Sequence, residues 1–218
     1  EYIVELIKYC RIKYAIDFVN FLDEHFTDNI KRCSEICDLL EEEGLIDVIK
    51  WGCKGNVTSV NYPLLQRMRD CGCSYIIYDG VSADERILKG RHIPIQIEGA
   101  IQATLRAGMN PIVNFQVGSE EEDIQSILKT VQFMIDNQIE CRPSYVTPLP
   151  GTELFKRNKK KILKEYGSLE RYVEALSKDK NENLICNISK FKDVELVGLR
   201  ELMIKKDIER IRRMLNED

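Results

Sequence analysis

The sequence lacks any long hydrophobic run, and its longest apolar stretches are short segments such as residues 75–78 and 112–117. A membrane-spanning helix needs about 20 apolar residues, so we expect a soluble chain without a membrane partner. Proline and glycine are also scarce, with 6 and 12 among 218 residues, which excludes collagen-like and disordered classes. The net charge is only −4, so no overall basic field favours nucleic acid.

Cysteine is abundant, with eight residues, but a basic and apolar secretory leader is missing from the opening Glu1-Tyr2-Ile3-Val4. We therefore expect reduced thiols and a cytoplasmic location. The sequence starts with Glu rather than Met, and residues 1–14 have the apolar spacing of a helix. This opening predicts that the chain is a piece of a longer protein.

Helical and strand patterns alternate along the first two thirds of the sequence, which predicts a parallel sheet covered by helices. The predicted strands are residues 16–21, 47–51, 74–78, 111–117 and 140–147. A full eight-unit barrel needs about 250 residues, so five units predict an α/β fold of the partial (β/α) barrel type, similar to part of a TIM barrel. We predict this barrel over residues 1–151 and a helical C-terminal extension over residues 152–218.

Helix boundaries are predicted from capping residues. Thr27 or Asp28 is expected to cap the helix after the first strand, and Ser119 the acidic helix start after the fourth. Residues 194–216 predict one final helix.

The fourth predicted strand alternates in polarity. Val113, Phe115 and Val117 form one apolar face, whereas Asn114 and Gln116 point to the other. Two amides on the inner face of a parallel strand need partners, which are either a bound ligand or a neighbouring strand.

Four segments that follow or end strands carry a family resemblance. They are Asp23-Glu24-His25-Phe26-Thr27, Trp51-Gly52-Cys53, the stretch from Cys71-Gly72-Cys73 to Leu88, and Pro148-Leu149-Pro150-Gly151-Thr152-Glu153-Leu154-Phe155. In this order and spacing they resemble the core of the radical S-adenosylmethionine (radical SAM) enzymes. The resemblance covers about residues 1–155 and is strongest to the branch that often has an upstream cobalamin-binding domain.

The resemblance implies a fragment of an enzyme in which a 4Fe-4S cluster cleaves SAM reductively, generating a 5'-deoxyadenosyl radical or supporting radical methylation. It also implies an electron donor protein, a substrate that the sequence does not specify, and possible use of cobalamin from an upstream domain. The cluster ligands of the family form a Cys-x3-Cys-x2-Cys loop, and this loop is absent here. Cys33 and Cys37 have the first spacing only, with Leu40 at the third position, and are interpreted as helical packing residues.

The resemblance further implies two groups of site residues. The SAM-binding group is Ser82, Asn114, Gln116, Leu149 and Pro150, and the substrate-facing group is Asp23, Glu24 and Trp51. Simpler interpretations remain open at this stage: the two acids can serve as loop or cap residues, Trp51 as core, and the residues from Leu149 as a rigid turn.

Three departures from the family favour a second hypothesis, a catalytically degenerate barrel that acts as a binding or scaffold module. Val81 stands where the family has the Glu of Glu-Ser-Gly, and Asn56 where many relatives have Arg. The Gly-x-Pro-Gly-Glu-Thr loop of the family is expected to be shortened to residues 118–120. The basic residues between Lys156 and Lys164 are interpreted as a solvated helix face, with an RNA-binding surface as the less favoured alternative.

Overall fold

The computed structural model describes residues 1–89, 93–178 and 183–214. Five strands lie in these ranges: β1 (Phe18–Phe21), β2 (Lys50–Gly55), β3 (Cys73–Val81), β4 (Asn110–Val117) and β5 (Ser144–Tyr145). The helices are α1 (Tyr2–Tyr14), α2 (Ile30–Glu42), α3 (Tyr62–Asp70), α4 (Glu85–Leu88), α5 (Pro94–Arg106), α6 (Ile124–Asp136), α7 (Glu153–Tyr166), α8 (Leu169–Lys178), α9 (Asp193–Lys205) and α10 (Ile208–Arg213). None of the helices in these ranges has the length and apolar character needed to cross a membrane.

The strands follow one another in the sheet in chain order, β1-β2-β3-β4-β5. The pairs β1/β2, β2/β3 and β4/β5 are parallel, and helices occupy the connections between successive strands. Parallel neighbours with helical crossovers are the repeating unit of a (β/α) barrel. The predicted fold class, a partial parallel (β/α) barrel followed by helices, is confirmed.

The chain divides into two compact units. Unit 1 is Glu1–Gly80 with Gly90–Val113, and unit 2 is Val81–Lys89 with Asn114–Asp218. The predicted boundary between residues 151 and 152 stays a prediction. Residues 179–182 and 215–218 of the predicted extension lie outside the described residues.

The core of unit 1 includes an aromatic cluster around Trp51, which is 1% exposed. Its ring packs edge-on against Phe21 at 5.4 Å and lies 5.7 Å from Phe26. The indole N–H donates to the Cys71 carbonyl at 2.8 Å, so the polar atom of this buried side chain is satisfied.

Unit 2 has two apolar clusters. In the first, Val117 of β4 and Ile127 and Val131 of α6 are buried together with Leu199 of α9 and Ile211 of α10. In the second, α7 and α8 contribute residues that include Phe155, Ile162 and Tyr172, joined by Cys186 and Ile188. The C-terminal helices therefore form part of the core of unit 2.

Two strands have boundaries that differ from those predicted by their sequence patterns. β2 begins at Lys50 rather than Asp47 and continues to Gly55, and β3 continues through Asp79 and Gly80 to Val81. Gly52 lies inside β2 at a register shift between β2 and β3, and a Cβ there would overlap the Tyr75 ring, with 2.3 Å to the nearest ring carbon. A glycine that weakens strand propensity thus allows an aromatic ring to lie on the strand.

The helix starts also differ from the predicted ones. Asn29 caps α2, in place of Thr27 or Asp28, and Asp123 caps α6, in place of Ser119. Thr27 and Asp28 belong to a short 3₁₀ helix, and the Ser119 hydroxyl is buried without a hydrogen-bond partner in the described chain.

The predicted final helix is broken in two, because Lys206 adopts a left-handed conformation with φ 54° between α9 and α10. The fifth strand is also much shorter than predicted, with Ser144–Tyr145 alone in strand conformation.

Candidate functional site

One face of β2 and β3 in unit 1 is more open than the other. Trp51, Cys53, Ile76 and Tyr78 are buried on the covered face, whereas Lys54, Ile77 and Asp79 are only partly buried. This alternation follows from the two-residue period of a strand. The open face therefore carries a lysine and a carboxylate near the carboxyl ends of neighbouring strands.

Lys54 is held between two carboxylates of this unit. Its ammonium group forms ion pairs with Glu24 and with Asp79, the latter at 2.9 Å. The hydrogen bond from Lys54 lowers the pKa of the Glu24 carboxyl, so this group stays ionised. Asp23, the other predicted substrate-facing acid, pairs instead with Arg32 at 2.8 Å on the side of α2.

The structure thus separates the three residues that were predicted to face a substrate. Glu24 lies in an exposed ion-pair cluster with 77% of its side chain accessible, and Asp23 is also partly exposed. Trp51 is enclosed in the core. Lys54, which the sequence analysis did not select, is the residue that organises this edge of unit 1.

The amide pair of β4 follows the predicted alternation. Asn114 is exposed and Gln116 is partly buried, whereas Val113, Phe115 and Val117 are fully buried. Neither amide side chain forms a hydrogen bond within the described part of the chain. Gln116 pairs in register with Ser144 of β5, the strand that leads into the Pro148–Thr152 turn.

This turn has two sides with different roles. Thr152 closes it, because its backbone N–H and its hydroxyl both donate to the Leu149 carbonyl, at 3.1 and 2.7 Å. The same hydroxyl accepts from the Phe155 N–H and caps α7. Leu149 and Pro150 are exposed on the other side, with Leu149 54% accessible, so the turn presents its own backbone to the surroundings.

The fold is similar to those of several proteins of known structure. The chain superimposes on TsrM from Kitasatospora setae, a radical SAM methyltransferase solved with cobalamin and a [4Fe-4S] cluster, with a TM-score of 0.65 and 11% sequence identity. The superposition covers 73% of this chain and 33% of TsrM. OxsB, a cobalamin-dependent SAM radical enzyme, gives a TM-score of 0.54 at 13% identity over 95% of this chain and 30% of its own. The chain has the fold of the radical SAM enzymes.

The sequence comparison agrees with this fold. An uncharacterized methyltransferase from Pyrococcus horikoshii is 29% identical over 71% of this chain and 34% of its own length. No protein-family profile matches the sequence. The chain spans about a third of the length of these relatives, and the resemblance predicted from the sequence is confirmed.

The loop after β4 corrects one predicted departure from the radical SAM pattern. Six residues separate β4 from α6, from Gly118 to Asp123, so the loop is not shortened to residues 118–120. Glu122 occupies the fifth position, where the motif has its glutamate, and its carboxylate accepts from the Gly118 N–H at 2.5 Å. Burial raises the pKa of Glu122 to about 7. Gly118 itself has φ +95°, and a Cβ would come within 3.0 Å of Leu196.

Ser82, a predicted SAM contact, is buried in a polar network of unit 2. Its hydroxyl lies 3.1 Å from that of Thr130, and the Asp84 N–H donates to it. Asp84 is 1% exposed and binds both Arg86 and Lys129, and the hydrogen bonds from Arg86 lower its pKa to about 2. Val81, just before this network, has φ 58°, an unfavourable conformation for a β-branched residue.

The thiols do not fit the iron–sulfur cluster that the radical SAM fold implies. Among the described residues, no group of three or more His, Cys, Asp or Glu side chains is placed to hold a metal. Cys33 and Cys37 are buried in α2, and burial raises the pKa of Cys33 to about 11 and that of Cys37 further. These are properties of packed thiols, not of thiolate ligands. We assign no cluster-dependent step to the described residues.

Proposed function

We propose that this chain is the SAM-binding part of a radical SAM enzyme. The observation that supports this proposal most directly lies in unit 2, where several hydrogen-bonding groups that have no partner among the described residues belong to the parallel pair β4/β5 or to the turn that follows it. The groups are the amides of Asn114 and Gln116 on β4 and, after β5, the N–H groups of Leu149 and Gly151 and the Pro150 carbonyl. In barrels of this type, ligands bind at the carboxyl ends of the strands.

Each of these groups has a chemical counterpart in SAM. The backbone of residues 149–151 can pair with the edge of the adenine base, and the exposed Leu149 side chain can cover its face. The amides of Asn114 and Gln116 can donate to and accept from the ribose hydroxyls or the amino-acid end. Bound SAM would supply the adenosyl or methyl group that enzymes of this family transfer or activate.

We assign the substrate-facing role to the acids of unit 1. Glu24, Lys54 and Asp79 form an accessible charged cluster beside the strand ends. The 4Fe-4S ligands and any cobalamin would come from parts of the protein beyond the described residues, and an electron donor protein would reduce the cluster. All eight cysteines are free, which supports a cytoplasmic location.

The test uses the full-length protein that contains this chain, reconstituted anaerobically with iron and sulfide. We expect SAM to bind, and 5'-deoxyadenosine or a methylated product to form when a reductant is added. Asn114→Ala combined with Gln116→Ala removes about two net hydrogen bonds and should weaken SAM binding about ten- to hundredfold.

Asn110→Ala is the matched control, because Asn110 is an exposed amide at the opposite end of the same strand. It should leave the Kd for SAM unchanged. If the wild-type protein fails to bind SAM, or if Asn110→Ala weakens binding as much as the double variant, the proposal is wrong.

Val81 supports the second candidate, a degenerate barrel used as a binding module, since an apolar side chain stands where the family has a glutamate. This alternative predicts a protein that shows no cluster absorbance and no SAM cleavage after reconstitution. The same experiment therefore separates the two functions.

A further inference from the structure

We propose that Tyr172 of the C-terminal helices is a positioning residue for SAM: its hydroxyl holds the Pro148–Thr152 turn in the conformation that receives the adenine base. The inference rests on the proposed function and deepens it. It assigns a binding role to α8, a helix that follows the segments on which the family resemblance depends.

The contact itself is specific. Tyr172 is 0% exposed, and its hydroxyl donates to the Pro148 carbonyl at 2.8 Å across 24 residues of sequence. The ring packs 6.1 Å from Phe155 and 5.1 Å from Tyr166, so its direction is fixed by two aromatic neighbours. A buried hydroxyl with a fixed ring direction donates to one carbonyl and cannot reach another without moving the ring.

The anchored carbonyl lies at the start of the turn, and it accepts no other hydrogen bond from the described residues. Thr152 fixes the far end through the Leu149 carbonyl, and Gly151 has φ +92°, which a residue with a side chain rarely adopts. The side chains of Leu149 and Pro150, which lie between these two residues and the strand, are exposed. Tyr172 and Thr152 therefore hold the turn from its two ends.

The two anchors leave particular groups for a ligand. With the carbonyls of Pro148 and Leu149 occupied, the N–H groups of Leu149 and Gly151 bond to no described residue, and neither does the Pro150 carbonyl. A donor beside an acceptor matches the edge of a purine, which has ring nitrogens that accept and an exocyclic amine that donates. Loss of the Tyr172 hydroxyl would leave these groups in place but less ordered.

Tyr172→Phe in the full-length protein tests this role. It keeps the ring and removes only the hydroxyl. We expect the Kd for SAM to rise about three- to tenfold, the effect of one hydrogen bond, with a larger loss for SAM than for methionine. Hydrogen exchange at the Thr152 N–H, which bonds to the Leu149 carbonyl, should be faster in the variant, and in the wild type SAM should slow exchange at the N–H groups of Leu149 and Gly151.

Tyr166→Phe is the matched control. The Tyr166 hydroxyl also donates to a backbone carbonyl, that of Ile185 at 2.5 Å, within the same aromatic cluster but away from the turn. The Tyr166→Phe variant should lower the melting temperature as Tyr172→Phe does and should leave the Kd for SAM unchanged.

Three results would overturn the inference while leaving SAM binding itself intact: unchanged affinity in Tyr172→Phe, equal weakening in both variants, or no protection of residues 149–151 by SAM in the wild type. A wild-type protein that does not bind SAM would instead overturn the proposed function, and this inference with it.

Discussion

The two compact units stabilise their strand ends with different forces. In unit 1 the charges near the strand ends are accessible, and the buried side chains are uncharged: aromatic, aliphatic and thiol groups and the hydroxyls of Thr27 and Thr104. In unit 2 the loops after the strands contain buried polar groups. The buried charged side chains found among the described residues, Asp84, Glu122 and Arg200, all belong to unit 2.

This difference predicts different sensitivities. Unit 1 buries no charged side chain among its described residues, so its packing should depend little on pH near neutrality. Its surface ion pairs are weak because water screens them. A carboxyl buried in unit 2 couples folding to protonation, since its pKa differs between the folded and unfolded chain. Substitutions in the two units should therefore be distinguishable by their pH and salt dependence as well as by their size.

The largest effect is expected from Trp51→Ala in unit 1. The substitution removes a fully buried ring that contacts Phe21 and Phe26 and leaves the Cys71 carbonyl without its donor. The free energy of unfolding should fall by about 4 kcal/mol, measured by denaturant titration.

Trp51→Phe serves as the control for packing, because it retains most of the ring volume and loses the indole N–H. A loss of about 1.5 kcal/mol is expected. If Trp51→Ala cost no more than Trp51→Phe, the side chain would not be the core residue that the structure describes, and a substrate-facing role would regain support.

The next effect is a pH dependence in unit 2. Burial raises the pKa of Glu122 from 4.5 to about 7, so between these pH values the folded chain keeps a proton that the unfolded chain has released. The resulting stability is fully present below pH 4.5 and is lost as the pH rises through 7. The difference corresponds to about 3 kcal/mol, which Glu122→Gln should abolish because glutamine does not ionise.

Glu121→Gln is the control for this experiment, since Glu121 is the exposed neighbour that pairs with Lys89. Between pH 4.5 and 8 the wild type should lose stability relative to Glu122→Gln. It should not lose stability relative to Glu121→Gln over the same range. Parallel pH curves for wild type and Glu122→Gln would mean that the carboxyl is hydrated.

The fold class could be predicted from the sequence because alternating strand and helix patterns specify crossover connections directly. The boundaries of strands and helices were harder to predict where a tertiary contact overrides a local preference. Gly52 suggested a loop, yet it lies inside β2, where it pairs with Asn20 of β1 and Tyr75 of β3 and leaves room for the Tyr75 ring. Lys206 suggested a continuing helix, and nothing in its side chain indicates the left-handed conformation that separates α9 from α10.

The candidate site was only partly accessible to sequence analysis. The alternation of Asn114 and Gln116 depends on strand periodicity alone, and it could be read from the sequence. Glu122 could have been found from its position four residues after Gly118, which matches the spacing of the family motif. Tyr172 could not, because its contact with Pro148 spans 24 residues and depends on how α8 packs.

The smallest effect is expected from Lys54→Met in unit 1. Its two ion pairs involve Glu24 and Asp79, whose side chains are 77% and 45% exposed, so solvent offsets most of the attraction. The free energy of unfolding should fall by about 0.5 kcal/mol at low salt, and the loss should shrink in 1 M NaCl as the Debye length falls to about 3 Å. Lys31→Met, which removes an 87% exposed lysine paired with Glu35 on α2, should cost still less. A loss of several kcal/mol for Lys54→Met that salt does not reduce would show that unit 1, like unit 2, depends on a desolvated charge.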